Sequence, residues 1–286
     1  MNVVQEYVQD DVHVGVKTHV RRKDSVKVLH EDLNSILDSI KLCAKQKNLR
    51  KGVSIHDHLI QSGLLEDRYV NSALISMYMS CGEIMKAQEV FDEIPVRHVI
   101  SWNALILGYV RQGLDEKALD CYARMRDEGF SPNVITFTCI LKACGHKVFI
   151  SKGEAIHDEV RKKGLLKRNV RLGTALVNMY GKCGMLRKAL EVFNEISDPD
   201  TITWTALISA YVQHGLSNEA LAFYEQMQDE SFSPDAVTFG CILKACGNIG
   251  SLERGEKIHA ELRERGLLKN DVQLGTALVD MYAKCG

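Results

Sequence analysis

Apolar residues in the middle of the chain recur at the spacing of helical turns. In residues 99–133, Trp102, Leu105, Ile106 and Tyr109 fall on one helical face, and Gln112-Gly113 interrupts them. A second apolar stripe, Ala118, Leu119, Tyr122 and Met125, starts near Asp115, whose side chain suits a helix N-cap. Gly129 ends that stripe, and Ser131-Pro132 turns the chain into the next segment. Neither predicted helix can bury its apolar face alone, so the pattern demands stacked neighbours.

Those neighbours are present as repeats. Residues 134–184 and 236–286 align without a gap at an offset of 102, with 31 of 51 positions identical. A weaker third copy runs from Leu33 and carries Cys43, His56, Gly63 and Tyr78 at matching places. Each block subdivides: units of 35 residues open at Val99 and Thr201, units of 36 at Val134 and Ala236, and units of 31 at Arg68 and Val170. The chain therefore reads as 33–67, 68–98, 99–133, 134–169, 170–200, 201–235, 236–271 and a partial unit, 272–286. It stops in mid-repeat at Gly286, so a natural protein of this type is expected to continue. Residues 1–32 match no repeat and read as an N-terminal leader, either flexible or a degenerate unit. The expected fold class is all-α, a superhelical solenoid of tandem helix-turn-helix units.

Composition adds mainly exclusions. With 36 Lys and Arg against 37 Asp and Glu, net charge lends no support to a nucleic-acid partner, and any such function must rest on local features. The nine cysteines recur inside helical patterns, and an odd number argues against a disulfide framework, so they read as reduced, small buried residues. No apolar run is long enough to span a membrane. Glu6, Asp10 and Asp11 fit poorly with a transit peptide, and none is evident.

Several constellations imitate chemistry. His157 with Glu159 and His259 with Glu261 match the His-x-Glu half of a zinc deaminase signature, but its Pro-Cys-x-x-Cys half is nowhere in the chain. These histidines share a repeat position with His56, which points to packing or capping between helices. Cys139 and Cys144, like Cys241 and Cys246, are five apart and so do not share a helical face. The clusters Arg161-Lys162-Lys163, Lys167-Arg168 and Arg21-Arg22-Lys23 read as solvated surface, with phosphate contact as the competing use. No glycine-rich phosphate loop or nucleophile elbow occurs. No catalytic residue, metal ligand or cofactor is expected.

A fixed 34-residue period would suggest the tetratricopeptide family, and the 35-36-31 cycle does not fit it. That cycle, the tract from Val99 to Ile106, the turn Phe130-Ser131-Pro132-Asn133 and the ending from Met281 to Gly286 resemble the pentatricopeptide repeat family. Within it they are similar to the land-plant subclass that cycles P, L and S repeats, and the likeness covers residues 33–286. The resemblance implies a right-handed superhelical solenoid that binds single-stranded RNA as a monomer, one base per repeat. It also implies organelle RNA metabolism, in mitochondrion or chloroplast, such as recognition of cytidine-to-uridine editing sites or RNA processing. In such factors a C-terminal deaminase extension does or recruits the chemistry, so an editing role here would require either a C-terminus beyond Gly286 or editing-factor proteins as partners.

The same resemblance assigns base contacts to two positions per unit. The fifth residue is polar at Ser72, Asn103, Thr138, Thr174, Thr205 and Thr276. The last residue is polar at His98, Asn133, Asn169, Asp200, Asp235 and Asp271. By the family's base code, Thr174 with Asp200 and Thr205 with Asp235 imply guanine. Asn103 with Asn133 implies a pyrimidine, cytosine more than uracil, and Thr138 with Asn169 implies no assignment. With protein and RNA parallel, the core target is 5′-Y-N-G-G-3′. The second residues Ile100 and Ile202 imply apolar wedges between neighbouring bases. Leu37 and Gly240 cannot hydrogen-bond through a side chain and His98 is an unusual last residue, so their units are expected to be spacers. Taken singly, Thr, Asn and Asp here could be helix caps; recurrence at a fixed phase favours the groove role. The competing function is a protein-binding scaffold of tetratricopeptide type, which neutral net charge favours.

Overall fold

The computed structural model describes residues 23–145, 149–269 and 271–286, with side chains from Leu33 onward except Glu66. Among these residues the chain forms fifteen α-helices and no strand. They come in pairs: α1 (Lys23–Gln46) with α2 (Leu49–Ser62), α3 (Arg68–Cys81) with α4 (Ile84–Asp92), and α5 (Val99–Arg111) with α6 (Asp115–Asp127). Then follow α7 (Val134–Ala143) with α8 (Ile150–Lys162), α9 (Val170–Lys182) with α10 (Leu186–Glu195), and α11 (Thr201–Gln213) with α12 (Ser217–Asp229). The series ends with α13 (Ala236–Ile249), α14 (Leu252–Glu264) and a single α15 (Val272–Cys285).

Each odd-numbered helix stacks on the next odd-numbered one, and each even-numbered helix packs on the odd helices before and after it. One apolar core therefore runs the length of the array. This is an α-solenoid, in which every unit completes its neighbour's core. Trp102 and Trp204, fourth in their units, are fully buried. Each meets a phenylalanine of the preceding helix edge-on, Phe91 and Phe193, with ring centroids 4.6 Å apart. Where α9 and α11 stack, only a hydrogen fits: a β-carbon at Gly181 of α9 would sit 2.6 Å from the Ala210 β-carbon of α11.

Two details differ from the sequence pattern. The leader assigned to 1–32 is helical from Lys23, because α1 begins ten residues ahead of the repeat match; residues 1–22 lie outside the described residues. Asp115 is the first helical residue of α6, and the preceding residue, Leu114, occupies the cap position. Its carboxylate instead lies in the first turn beside Glu116, favourable against the helix dipole. Gly113, in the left-handed region at φ 71°, ends α5 as the apolar pattern anticipates.

The recurring histidines are internal struts. Nδ1 of His56, His157 and His259 lies 2.8, 2.9 and 2.9 Å from the hydroxyl of Tyr78, Tyr180 and Tyr282. Each strut joins the second helix of a 36-residue-type unit to the first helix of the next. Burial lowers the pKa of His56 and His157 below the ordinary imidazole value, since charging them inside the core is unfavourable. An imidazole whose folded pKa is depressed supports the fold fully above its unfolded value of about 6.5 and loses that support as pH falls below it. The midpoint of thermal unfolding should therefore drop between about pH 7.5 and pH 5.5. In a His56→Gln/His157→Gln variant that drop should shrink, even if the variant starts lower. An undiminished acid sensitivity in the variant would remove the histidines from this account.

Candidate nucleic-acid interface

The odd-numbered helices α3, α5, α7, α9, α11, α13 and α15 open on Arg68, Val99, Val134, Val170, Thr201, Ala236 and Val272, the first residues of the units. The last residue of each unit is therefore the N-cap of the next odd helix. Asn133, Asp200, Asp235 and Asp271 all accept backbone N–H bonds there. His98 and Asn169 occupy the same place without a side-chain bond to the first turn's N–H groups. At His98 the cap is made from the other side, by Ser101 Oγ, which accepts the His98 N–H at 3.3 Å and donates to the His98 carbonyl at 2.8 Å.

The fifth residues stand one turn into the same helices, and three of them are joined to the cap that ends their own unit. Thr174 Oγ1 lies 2.7 Å from Thr203 Oγ1, which donates to Asp200 Oδ1 at 2.6 Å. Thr205 Oγ1 lies 2.6 Å from Thr238 Oγ1, which donates to Asp235 Oδ1 at 2.8 Å. Asn103 accepts from Thr136 Oγ1 at 2.7 Å and donates from Nδ2 to Asn133 Oδ1 at 3.2 Å. The bridging residue is the third of the following unit each time. These are the pairs to which the resemblance assigns a base.

Elsewhere the bridge is missing for a visible reason. Leu172, apolar and fully buried, stands where Thr138 and Asn169 would need a hydroxyl. Thr138 and Thr276 bond the carbonyls of Val134 and Val272, at 2.8 and 2.9 Å, as Thr174 and Thr205 also bond those of Val170 and Thr201, at 2.9 and 2.8 Å. Ser72 likewise bonds the Tyr69 carbonyl at 3.0 Å. Around Gly240 nothing lies within 4 Å of where a β-carbon would stand. Of the second residues, Ile202 is 63% exposed whereas Ile100 is half-buried. Val237, at the same position and 62% exposed, is a third apolar candidate that the sequence reading passed over.

These residues line real space. Thr138, Thr174, Asp200 and Ile202 border one cavity of about 510 Å³, together with Lys142 and Lys182. Val237, Gly240, Asp271 and Lys244 border a second, of about 330 Å³, further along the same helix row. A cavity of the first size accommodates a flat heterocycle and its sugar.

Charge is sorted by helix row, which a chain-wide net charge conceals. From α3 to α13 the odd-numbered helices carry Arg68, Arg111, Lys142, Arg171, Lys182 and Lys244, and no Asp or Glu. Every even-numbered helix carries at least one carboxylate. Along the even row, cations pair across units: Arg124 with Asp92 at 3.2 Å, Arg126 with Glu159 at 3.4 Å and Arg254 with Glu225 at 3.5 Å. Such exposed pairs add little stability, but they neutralise that side. Arg161 and Lys163, of the basic cluster noted in the sequence, pair with Glu195 and Glu159 and so belong to the neutralised row. Lys167 and Arg168 sit in a 3-10 turn; Arg21 and Arg22 lie outside the described residues. Lys142, Lys182 and Lys244 make no ion pair among the described residues. Charge tallied helix by helix, instead of over the chain, would have exposed them.

Comparison with known proteins adds the following. A model of the PPR repeat family matches residues 97–146 and 199–248. A PPR repeat model matches 72–99, 174–198 and 237–267. Together the matches cover more than half of the chain. Pentatricopeptide repeat-containing protein At4g38010 of Arabidopsis thaliana is 38% identical over 247 residues, 86% of this chain and 43% of that protein. From the same plant, At3g09040, mitochondrial, is 35% identical over 93% of this chain and 25% of its own length. At1g11290, chloroplastic, is 34% identical over 91% and 32% respectively. The chain thus spans less than half of these relatives. Among solved structures, the pentatricopeptide repeat protein PPR10 in complex with an 18-nt psaJ RNA element superposes with a TM-score of 0.68 at 22% identity. That match covers 82% of this chain and 35% of the other.

Proposed function

The chain belongs to the pentatricopeptide repeat family, and from that premise we propose that its odd-helix row binds single-stranded RNA, one base per unit. The observation that carries this reading is the meeting of three features in one place. Paired fifth and last residues border a cavity of about 510 Å³, an exposed Ile202 stands beside them, and lysines without an ion pair among the described residues flank them. Bases offer edges to hydrogen-bonding side chains, faces to apolar ones and phosphates to lysines, and this groove answers each. The solved relative was captured with RNA, which supports the same use here.

The finer assignments follow the same line. The 35-36-31 cycle supports membership of the P-L-S subclass, with Asn103–Asn133 reading a pyrimidine and Thr174–Asp200 and Thr205–Asp235 each reading guanine. The mitochondrial and chloroplastic relatives support an organellar role. Within it, specifying an editing or processing site for a partner enzyme suits a binding groove to which no catalytic site is assigned. The segregated charge answers the one feature that had favoured a peptide-binding scaffold.

Gel-shift titrations with single-stranded RNA test the proposal. RNA containing 5′-Y-N-G-G-3′ should bind more tightly than RNA with either guanine replaced. Thr205→Asn should move the preference at the final position from guanine towards a pyrimidine, by about fivefold to tenfold, the worth of one or two hydrogen bonds. Equal affinity for all four bases at that position, in wild type and variant alike, would refute the assignment.

A further inference from the structure

We propose that Asn178 reads the sugar: its Oδ1 accepts the ribose 2′-hydroxyl, so that unit 170–200 prefers RNA to DNA. The inference rests on the RNA-reading groove proposed above.

The residues bordering the 510 Å³ cavity are graded along α9. Thr174, with the cap Asp200 beside it, marks the end at which a base edge would be read. Lys182, eight residues further along the helix, marks the end that suits a phosphate, and Lys142 borders the same cavity from α7. At 1.5 Å per residue these marks lie about 12 Å apart along the helix axis, and Asn178 stands midway, about 6 Å from each. The covalent order of a nucleotide is base, sugar, phosphate. One laid along this gradient brings its ribose to the level of Asn178, which is exposed and borders the cavity.

The carboxamide is oriented before any ligand arrives. Asn178 Nδ2 donates to the Thr174 carbonyl at 3.0 Å, and because a carbonyl only accepts, the nitrogen must be the end that faces it. Oδ1, on the other arm of the planar group, is thereby turned away from that bond and has no hydrogen-bond partner among the described residues. A carbonyl oxygen calls for a donor. Within a strand the 3′ and 5′ oxygens of the sugar are esterified, so the 2′-hydroxyl is its one donor, and DNA lacks it. Other units place different chemistry at this ninth position. Lys142 and Lys244 are cations, Leu107 of unit 99–133 cannot hydrogen-bond through its side chain, and Ser209 Oγ already accepts from Gln213 Nε2 at 3.1 Å. From unit 68–98 to unit 236–271, Asn178 is the one carboxamide there.

The test measures binding of the full chain to all-ribose RNA containing 5′-Y-N-G-G-3′ and to copies changed at one sugar. A 2′-deoxy sugar at the nucleotide read by unit 170–200 should weaken binding about fivefold, the worth of one hydrogen bond. A 2′-fluoro sugar there should weaken it as much, since fluorine keeps the ribose pucker but offers no proton. The same deoxy change at unit 99–133, opposite Leu107, should leave affinity nearly unchanged. In Asn178→Leu the all-ribose and deoxy strands should bind alike, with circular dichroism melts reporting the fold separately. The sugar series on the wild type needs no variant. Equal wild-type affinity for ribose and deoxy strands, a loss with 2′-deoxy but not 2′-fluoro, an equal loss at unit 99–133, or an undiminished deoxy penalty in Asn178→Leu overturns sugar reading and leaves base reading intact. Failure of the wild type to bind the all-ribose RNA overturns both.

Discussion

Replacing Trp204 with alanine is expected to destabilise the protein by about 3–5 kcal/mol, the usual cost of emptying an indole-sized space in a packed core. Trp204 is 1% exposed and contacts Phe193 and Phe232, which come from the preceding helix and from the end of its own unit. It therefore seals two junctions at once. Trp204→Phe should cost clearly less, because the indole Nε1 is buried without a hydrogen-bond partner among the described residues, so its loss strands no other group there. Because each unit touches only its neighbours, the damage should stay local. Amide hydrogen exchange should lose protection first in α10 to α13, while α3 to α6 hold. Equal destabilisation by alanine and phenylalanine, or uniform loss of protection along the chain, would contradict this account.

The second large effect is electrostatic. Reversing Lys142, Lys182 and Lys244 to glutamate should weaken RNA binding by at least about a hundredfold at low salt. Removing three phosphate contacts should also flatten the plot of log affinity against log salt by about two, given a slope near 0.7 per contact for single strands. Reversing Arg161 and Lys163 is the control, since both already face carboxylates on the even row. That variant should bind RNA nearly as wild type does. Similar losses in both variants would mean that overall charge, not its placement on the odd row, governs binding.

The starts of the helices were legible in the sequence because the residues that begin them also satisfy them. Asn133, Asp200 and Asp235 accept orphan N–H groups of the first turn, so cap chemistry recurs at the repeat's own phase. The apolar positions Trp102, Leu105 and Ile106 were equally plain, since helical spacing and burial coincide there. Asp115 misled because a residue type that favours caps also favours the first turn. Two features of the site were not legible. The bridge from Thr174 through Thr203 to Asp200 joins residues nearly thirty apart, and Thr203 looks in sequence like an ordinary helix starter. The basic row was hidden by arithmetic, because carboxylates of the even helices cancel it in any chain-wide sum. The phenolic strut of His157 needed the fold too, since a histidine followed two residues later by glutamate reads as half a metal motif until Tyr180 is found at 2.9 Å.

The caps straddle the unit boundaries, and this matters to anyone who would rebuild such a protein from parts. Asp200 closes one unit while its partners, the N–H and hydroxyl of Thr203, open the next. A cassette cut between residues 200 and 201 would pair each recognition residue with whatever third residue the downstream cassette happens to bring. Cutting after the third residue keeps fifth residue, cap and bridging hydroxyl on one exchangeable piece.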